Sequence, residues 1–192
     1  MLIGTENGLS VEHNSRFIFG LEKVINENVK GDFFDIGCWR GTKSFLAADY
    51  FLKNNITDRS IYLFDTFEGH VGVSDKDQDW GFIHKLDEFK VVSTDDIKHT
   101  FELLGFSNYH IIKGDIRETL PKHLNVKVAF CVTDLNLYEP TKYTLDFLKN
   151  SMVNGSLLHE DDYNNITGIT QCFDENRDIK RTIIQNELFF YF

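Results

Sequence analysis

A short apolar strand followed by two spaced glycines occurs at Asp32-Phe33-Phe34-Asp35-Ile36-Gly37-Cys38-Trp39-Arg40-Gly41. The glycines allow a tight turn into the helix that the apolar spacing predicts over residues 41–52, and they let a ligand approach the backbone closely. The spacing is not Gly-x-Gly-x-x-Gly and has no Gly-Lys-Ser/Thr ending, so a nicotinamide dinucleotide site is disfavoured and a P-loop is excluded. Taken alone, the segment fits an ordinary strand-to-helix turn as well as a ligand-binding turn.

Strands and helices alternate on both sides of this segment. Helices are predicted at residues 15–28, 41–52, 93–104, 141–152 and 168–176, and strands at residues 32–36, 60–64, 109–113, 126–132 and 156–159. The alternation predicts an α/β fold, with a doubly wound, mainly parallel sheet and helices on both faces. We expect a single domain over residues 15–192, preceded by an N-terminal extension at residues 1–14. In such sheets, ligands bind outside the carboxyl ends of the strands.

The composition is that of a folded acidic protein. The 192 residues are 42% apolar and carry a formal net charge of −10. No run reaches the roughly 18 apolar residues of a membrane helix, and no basic cluster offers a nucleic-acid surface. Because residues 1–6 lack the features of a secretory signal, we expect a soluble, cytoplasmic protein without a membrane or nucleic-acid partner. Cys38, Cys131 and Cys172, odd in number and far apart, are predicted to be reduced and buried.

Three carboxylates follow the fourth and fifth predicted strands. Asp134 comes directly after the fourth strand, and Asp161 and Asp162 come after the fifth. If these strands are neighbours, they lie about 5 Å apart, and the three side chains converge at one edge of the sheet. Their mutual repulsion would favour a divalent ion, and all-oxygen donors favour Mg²⁺, Mn²⁺ or Ca²⁺ over zinc. Ordinary acidic residues at the start of a loop are the alternative.

The second predicted strand also ends in an acid, Asp65. A carboxylate at this place can accept hydrogen bonds from the ribose hydroxyls of an adenosine-containing ligand. The alternative is a simple cap of the turn that follows the strand.

A long polar segment over residues 68–90 separates the second strand from the next helix. It contains Asp75-x-Asp77-x-Asp79, but Trp80 stands where a calcium loop needs glycine and Leu86 where it needs glutamate. We therefore interpret the segment as a lid over an acceptor pocket, because a compact domain rarely carries so long a loop without using it. Trp80 and Phe82 are candidates for stacking on a sugar or for closing the site, and ordinary packing within the lid is equally compatible.

Five motifs, in this order along the chain, together resemble the macrocin O-methyltransferase (TylF/MycF-type) family over about residues 30–178. They are Asp35-Ile36-Gly37-Cys38-Trp39-Arg40-Gly41, Asp65-Thr66-Phe67-Glu68-Gly69, Lys113-Gly114-Asp115-Ile116-Arg117-Glu118-Thr119-Leu120-Pro121, Asp134-Leu135-Asn136-Leu137-Tyr138-Glu139-Pro140-Thr141 and Asp161-Asp162-Tyr163. The resemblance implies a class I methyltransferase fold, Rossmann-like, with a sheet of the seven-stranded type. Members of the family use S-adenosylmethionine and Mg²⁺ to methylate sugar hydroxyls of natural products.

The resemblance also implies roles for individual residues. The implied cofactor-binding residues are Asp35, Gly37, Trp39, Gly41, Asp65, Thr66, Phe67, Asp115, Ile116 and Asp134. Of these, Asp35 and Gly37 would line the methionine end of the cofactor, Asp65 would hold the ribose, and Asp115 and Ile116 would lie near the adenine. The implied metal ligands are Asp134, Asp161 and Asp162.

The motif after the fourth strand departs from the family at two positions. Asn136 stands where relatives have a second acid, and Pro140 replaces a serine. An amide cannot take up a proton as a carboxylate can. The predicted catalytic residues are Asp134, Asn136 and His159, with His84 and Glu160 as further candidates for the base.

We therefore predict an S-adenosylmethionine-dependent, Mg²⁺-dependent O-methyltransferase that acts on a hydroxyl of a sugar or sugar-containing small molecule. The metal would lower the pKa of the hydroxyl and align it with the methyl group. Asn136 motivates one alternative, a catalytically impaired cofactor-binding protein or partner subunit. A second alternative is a Mg²⁺-dependent phosphate-ester hydrolase, for which Lys113, Arg117 and Lys142 are the candidate phosphate-holding residues. The aromatic run Phe189-Phe190-Tyr191-Phe192 predicts an internal edge strand or a subunit contact in a homo-oligomer.

Overall fold

The computed structural model of the protein describes residues 15–78, Phe89 and residues 92–192. The predicted N-terminal extension, residues 1–14, lies outside the described residues. Residues 79–88 and residue 90 of the predicted lid also lie outside them, and these include Asp79, Trp80, Phe82, His84 and Leu86.

One sheet of seven strands forms the centre of the described part of the chain. The strands are β1 (Asp32–Ile36), β2 (Ile61–Asp65), β3 (Tyr109–Lys113), β4 (Val128–Thr133), β5 (Met152–Glu160), β6 (Lys180–Ile184) and β7 (Glu187–Tyr191). Their order across the sheet is β3-β2-β1-β4-β5-β7-β6. The first five pair in parallel, and β7 is antiparallel to both of its neighbours. The prediction of a mainly parallel α/β sheet is confirmed.

Helices cover both faces of the sheet, as predicted. They are α1 (Ile18–Asn26), α2 (Thr42–Lys53), α3 (Thr94–Leu104), α4 (Ile116–Thr119), α5 (Tyr138–Ser151) and α6 (Thr167–Glu175), with a 3₁₀ turn at Leu120–His123. Apolar side chains of α1, α2 and α3 form one core with the first face of the sheet. Those of α4, α5 and α6 form a second core with the opposite face. Because successive strand residues point to opposite faces, Phe33 belongs to the first core and Phe34 to the second.

The register of the central strands brings three loops together at the carboxyl edge. Ile36 is paired with Thr133, and Thr133 is paired with Glu160, so β1, β4 and β5 end side by side. The ladder continues one residue further, because the Asp134 amide donates to the Ile36 carbonyl at 2.9 Å and the Asp161 amide to the Thr133 carbonyl at 3.1 Å. The assumption that the fourth and fifth strands are neighbours is therefore confirmed.

A hairpin of β6 and β7 completes the sheet. Gln185 and Asn186 connect the two strands with φ angles of 49° and 70°, which suit a tight hairpin turn. The aromatic run was predicted to form an internal edge strand or a subunit contact. It forms β7, which lies inside the sheet between β5 and β6, so the strand at the edge is β6. Phe189 is buried in the first core and Phe190 in the second.

A local sequence signal marks the start of α3. Ser93 begins α3 as predicted, with its side chain accepting a hydrogen bond from the Asp95 amide. All three cysteines are free and buried, as predicted.

Among the residues that the structure describes, no helix has the length and apolar character needed to cross a membrane.

Candidate active site

Three aspartates meet beyond the carboxyl ends of β4 and β5. One carboxylate oxygen from each of Asp134, Asp161 and Asp162 lies within 4.8 Å of the other two. We refer to these three residues as the aspartate cluster. The convergence expected from the strand ends is therefore observed, because Asp134 and Asp161 each extend the hydrogen-bond ladder of the sheet by one residue.

Gly37 joins the turn after β1 to the aspartate cluster. Its φ angle is 81°, and a Cβ atom at this position would lie 2.2 Å from the carbonyl oxygen of Asp134. Only glycine adopts this backbone conformation without strain and leaves room for so close a contact. Gly41, with a φ angle of 77°, occupies the residue before α2. Both glycines are therefore required by the backbone, whichever ligand the turn holds.

Asp65 holds two strained residues at the ends of β1 and β2. Its Oδ2 accepts a hydrogen bond from the Trp39 amide at 2.8 Å, and its Oδ1 accepts one from the Phe67 amide at 2.7 Å. Trp39 and Phe67 have φ angles of 45° and 53°, which are costly for bulky side chains and are typical of functional sites. Burial raises the pKa of the Asp65 carboxyl, and the two amide bonds oppose that rise. Asp65 thus caps both turns, and each of its oxygens retains a lone pair.

Asp35 lies beneath the same edge and is 1% exposed. Its Oδ2 accepts hydrogen bonds from the Ser44 amide at 3.1 Å and the Ser44 hydroxyl at 2.6 Å. It therefore satisfies an N–H group of the first turn of α2. Burial raises the pKa of Asp35 to about 6, and its Oδ1 is buried without a hydrogen-bond partner among the described residues.

The remaining residues of the predicted cofactor site lie around β2 and β3. Thr66 shapes the turn after β2, since its hydroxyl donates to the Gly69 carbonyl at 2.6 Å. Asp115 begins α4 by accepting the Arg117 amide at 2.9 Å, and the guanidinium of Arg117 holds the pKa of Asp115 below its usual value. Ile116 is buried in the second core.

Lys43 is a functional candidate that sequence reasoning did not identify. Its ammonium lies 2.7 Å from Asp134 Oδ2 and 3.3 Å from Asp161 Oδ1. Although burial opposes the charged form, Asp134 and Asp161 hold the pKa of Lys43 above its ordinary value. The available signal was a lysine directly after the glycine turn, but α2 had to be oriented before its side chain could be placed.

Negative charge remains in excess around this lysine. Burial, with Asp134 as the next cause, raises the pKa of Asp162 to about 9. Burial also raises the pKa of Glu160 to about 8, although a hydrogen bond from the Thr133 hydroxyl opposes this. Asp162 Oδ2 is buried, and no hydrogen-bond donor among the described residues contacts it. Three hard oxygen donors whose negative charge one ammonium balances only in part fit a cation such as Mg²⁺, Mn²⁺ or Ca²⁺.

Asn136, at the position where the resemblance leads one to expect an acid, contacts an imidazole. Its side-chain amide lies 3.1 Å from His70 Nε2, and its φ angle is 61°. Burial lowers the pKa of His70, which favours the neutral ring at neutral pH. The ring of Phe89 meets both the His70 ring, at 5.1 Å between centroids, and the Trp39 ring, at 5.3 Å. No periodic pattern pointed to His70, because it lies in an irregular segment.

His159, predicted as catalytic, is the last but one residue of β5. It is 6% exposed, and its ring centroid lies 5.3 Å from that of Phe189 in the first core. Its neighbour Glu160 belongs to the opposite face of the sheet by the alternation of the strand.

Asp77 anchors the segment that follows β2. It is 4% exposed, and its Oδ1 accepts a hydrogen bond from the Tyr138 amide at 2.7 Å, at the start of α5. Its Oδ2 accepts from the Ser74 amide and hydroxyl at 2.7 and 2.9 Å. The central acid of the Asp75-x-Asp77-x-Asp79 pattern is therefore a helix cap. This tertiary cap explains why α5 begins three residues before the predicted start.

Comparison with known proteins identifies a family. A family model described as macrocin-O-methyltransferase (TylF) matches residues 15–189. The chain is 27% identical over 166 residues to demethyldecarbamoylnovobiocin O-methyltransferase of Streptomyces niveus, covering 82% of this chain and 62% of that protein. It is 27% identical over 165 residues to the 8-demethyl-8-(2,3-dimethoxy-alpha-L-rhamnosyl)-tetracenomycin-C 4'-O-methyltransferase of Streptomyces olivaceus, covering 83% and 62%. The chain thus spans about three fifths of the length of these curated relatives.

Solved structures show the same fold. The O-methyltransferase NovP superposes with a TM-score of 0.83 at 23% identity, covering 95% of this chain and 79% of that chain. The calicheamicin methyltransferase CalS11 superposes with a TM-score of 0.81 at 20% identity, covering 94% and 78%. The predicted class I methyltransferase fold is therefore confirmed.

Proposed function

Because the chain belongs to the macrocin O-methyltransferase (TylF) family, we propose that it transfers the methyl group of S-adenosylmethionine to a hydroxyl of a sugar or sugar-containing small molecule. The position of Asp134 carries this proposal. Its backbone packs against Gly37 in the first turn, and its carboxylate belongs to the aspartate cluster. One residue thus joins a candidate cofactor turn to a candidate acceptor site.

The cofactor would lie along the turns after β1, β2 and β3. Asp35, Gly37, Trp39 and Gly41 would line its methionine end, together with the backbone of Asp134. The buried indole N–H of Trp39 has no hydrogen-bond partner among the described residues, which supports a ligand there. Asp65, Thr66 and Phe67 would face the ribose, since Asp65 retains lone pairs beyond those used by the two amides. Asp115 and Ile116 would lie near the adenine.

The aspartate cluster would hold the divalent ion, with Asp134, Asp161 and Asp162 as ligands. When bound, such an ion supplies Lewis-acid polarisation of the acceptor hydroxyl and lowers its pKa. The protein itself contributes alignment, because the turns after β1 and β4 are fixed to each other through Gly37 and Asp134.

The proton of the acceptor hydroxyl needs a base, and the amide of Asn136 cannot serve as one. We assign this role to His70, whose imidazole is favoured in the neutral form by burial and contacts Asn136. If the amide is turned by half a rotation, its oxygen accepts the Nε2 proton and leaves a lone pair on Nδ1. Nδ1 is buried and has no hydrogen-bond partner among the described residues. His159 is the second candidate for the base.

Calorimetry followed by a transfer assay tests the proposal. The purified chain should bind S-adenosylmethionine and its product S-adenosylhomocysteine, and it should label a member of a panel of rhamnosyl glycosides and nucleotide-linked sugars from methyl-labelled cofactor. EDTA should abolish the labelling if the aspartate cluster uses a metal. A folded chain that binds neither cofactor nor product would contradict the proposal.

The alternatives have separate outcomes in this experiment. Cofactor binding without labelling of any acceptor would favour the impaired or partner protein that Asn136 suggests. The hydrolase alternative gains no support from its candidate cations, because each of them pairs with an acid. These pairs are Lys113 with Glu68, Arg117 with Asp115, and Lys142 with Asp146.

A further inference from the structure

We propose that the ammonium group of Lys43 is the resident cation of the aspartate cluster, so that a divalent ion reaches Asp134 and Asp161 only in competition with it. The inference rests on the proposed function, since it concerns the cation of the same site, but its test does not measure methyl transfer.

The contacts of Lys43 carry the inference. Its ammonium lies 2.7 Å from Asp134 Oδ2 and 3.3 Å from Asp161 Oδ1, two of the three residues that would hold a metal. A magnesium or calcium ion would need to approach the same carboxylates to about 2.0–2.6 Å. An ammonium and a dication this close repel each other strongly in a buried site. The two cations therefore compete for the same pair of carboxylates.

The helix that carries Lys43 is fixed in place. The next residue, Ser44, donates two hydrogen bonds to the buried carboxylate of Asp35. The Lys43 side chain is 9% exposed, so only a small part of it contacts solvent. To leave the aspartates, the ammonium would have to give up two charged partners while its stem remains held by α2. The structure thus favours the paired state of Lys43 when no other cation is bound.

Competition, and not complete exclusion, follows from the charge balance. One ammonium faces the three carboxylates of the aspartate cluster, and it forms ion pairs with Asp134 and Asp161. Asp162 keeps a buried oxygen that no described donor contacts. The cluster therefore retains attraction for a dication, which Lys43 weakens.

Titration of Mn²⁺ into the full chain, with free Mn²⁺ followed by electron paramagnetic resonance, tests the inference. Lys43→Met should bind Mn²⁺ at least tenfold more tightly than wild type, because the competing charge is gone. Lys53→Met is the matched control, since Lys53 ends the same helix but is exposed and pairs with Asp49, away from the cluster. This control should bind Mn²⁺ as wild type does. Adding Asp162→Asn to Lys43→Met should remove the gained affinity and thereby assign it to the cluster.

Equal or weaker Mn²⁺ binding by Lys43→Met would overturn the inference. Lys43→Gln is a second neutral variant in case the methionine variant does not fold. Wild type provides a measurement that needs no variant, because micromolar Mn²⁺ affinity in the wild-type chain would also overturn the inference. Calorimetry with S-adenosylhomocysteine on the same samples separates the two proposals. Failure to bind this product would contradict the proposed function alone, and tightened Mn²⁺ binding in Lys43→Met would still support the competition.

Discussion

Gly37 is the residue at which backbone geometry and the candidate site coincide. Its positive φ angle and the nearby Asp134 carbonyl both exclude a side chain. Asp65 and Asp35 act at the same scale, since each uses its carboxylate to hold backbone N–H groups of a turn or a helix start. Single carboxylates and one glycine therefore determine the shape of the edge before any ligand is bound.

Gly37→Ala should lower the free energy of unfolding by about 3 kcal/mol or more, because it combines left-handed strain with a steric clash. Gly105→Ala is the matched control. Gly105 has a φ angle of 74°, but a Cβ atom added there would meet nothing within 4 Å, so only the strain of about 1 kcal/mol applies. Urea unfolding of both variants measures the difference. Equal losses of unfolding free energy in the two variants would show that the backbone at Asp134 moves away from the added Cβ atom at little cost.

Asp35 predicts a dependence of stability on pH. Its pKa is raised by burial from 3.8 to about 6, so the native state binds more protons than the unfolded state between these values. The free energy of unfolding should therefore fall as the pH rises from about 4 to about 6, by up to about 3 kcal/mol. Asp35→Asn should make this part of the pH profile less steep, and the slope that remains belongs to Glu160 and Asp162, whose pKa values are also raised. Asp49→Asn, on the surface of α2, should leave the slope unchanged. An unaltered slope in Asp35→Asn would assign the effect to other groups.

At the scale of elements, the start of α5 is held by a residue from a distant segment. Asp77 accepts the Tyr138 amide, and Gly168 at the start of α6 packs closely against the same segment. The first part of the predicted lid, residues 68–78, is thus tied to two helices that flank the carboxyl edge. It contains His70, so the position of the proposed base depends on this anchor.

Asp77→Ala should lower the free energy of unfolding by about 2 kcal/mol, because it removes a helix cap and leaves buried donors without an acceptor. It should also speed hydrogen exchange at the Tyr138 amide. Asp75→Ala is the control, since Asp75 is exposed two residues away. Unfolding curves and exchange measured by NMR check both expectations. Unchanged exchange at Tyr138 would argue against the cap.

The sequence predicted the aspartate cluster but not the lysine that pairs with it. Asp134 and Asp161 directly follow apolar strands, so their place at the sheet edge follows from strand ends alone. Lys43 projects from a helix and His70 from an irregular segment, and neither position is fixed by a period-two pattern. The β6–β7 hairpin was also not predicted, because its turn at Gln185 and Asn186 interrupts an apolar run without glycine or proline.

At the scale of the whole molecule, β7 contributes buried side chains to both hydrophobic cores. Phe189→Ala and Phe190→Ala should each cost about 3–5 kcal/mol, since both rings are almost fully buried. Their effects should nearly add, because the two rings pack in cores on opposite faces of the sheet. Ile183→Ala is the control, as that side chain is 72% exposed. Denaturant unfolding of the single and double variants measures this, and strong non-additivity would indicate that the cores are coupled through the backbone.

The insertion of β7 between β5 and β6 has a consequence for biosynthesis. A nascent chain whose residues beyond 186 are still inside the ribosomal tunnel lacks the strand that fills this gap, and both aromatic layers remain open to water. The sheet can close only after synthesis has passed Tyr191 and that segment has emerged. We therefore expect translation intermediates of this protein to recruit holdase chaperones until β7 has emerged.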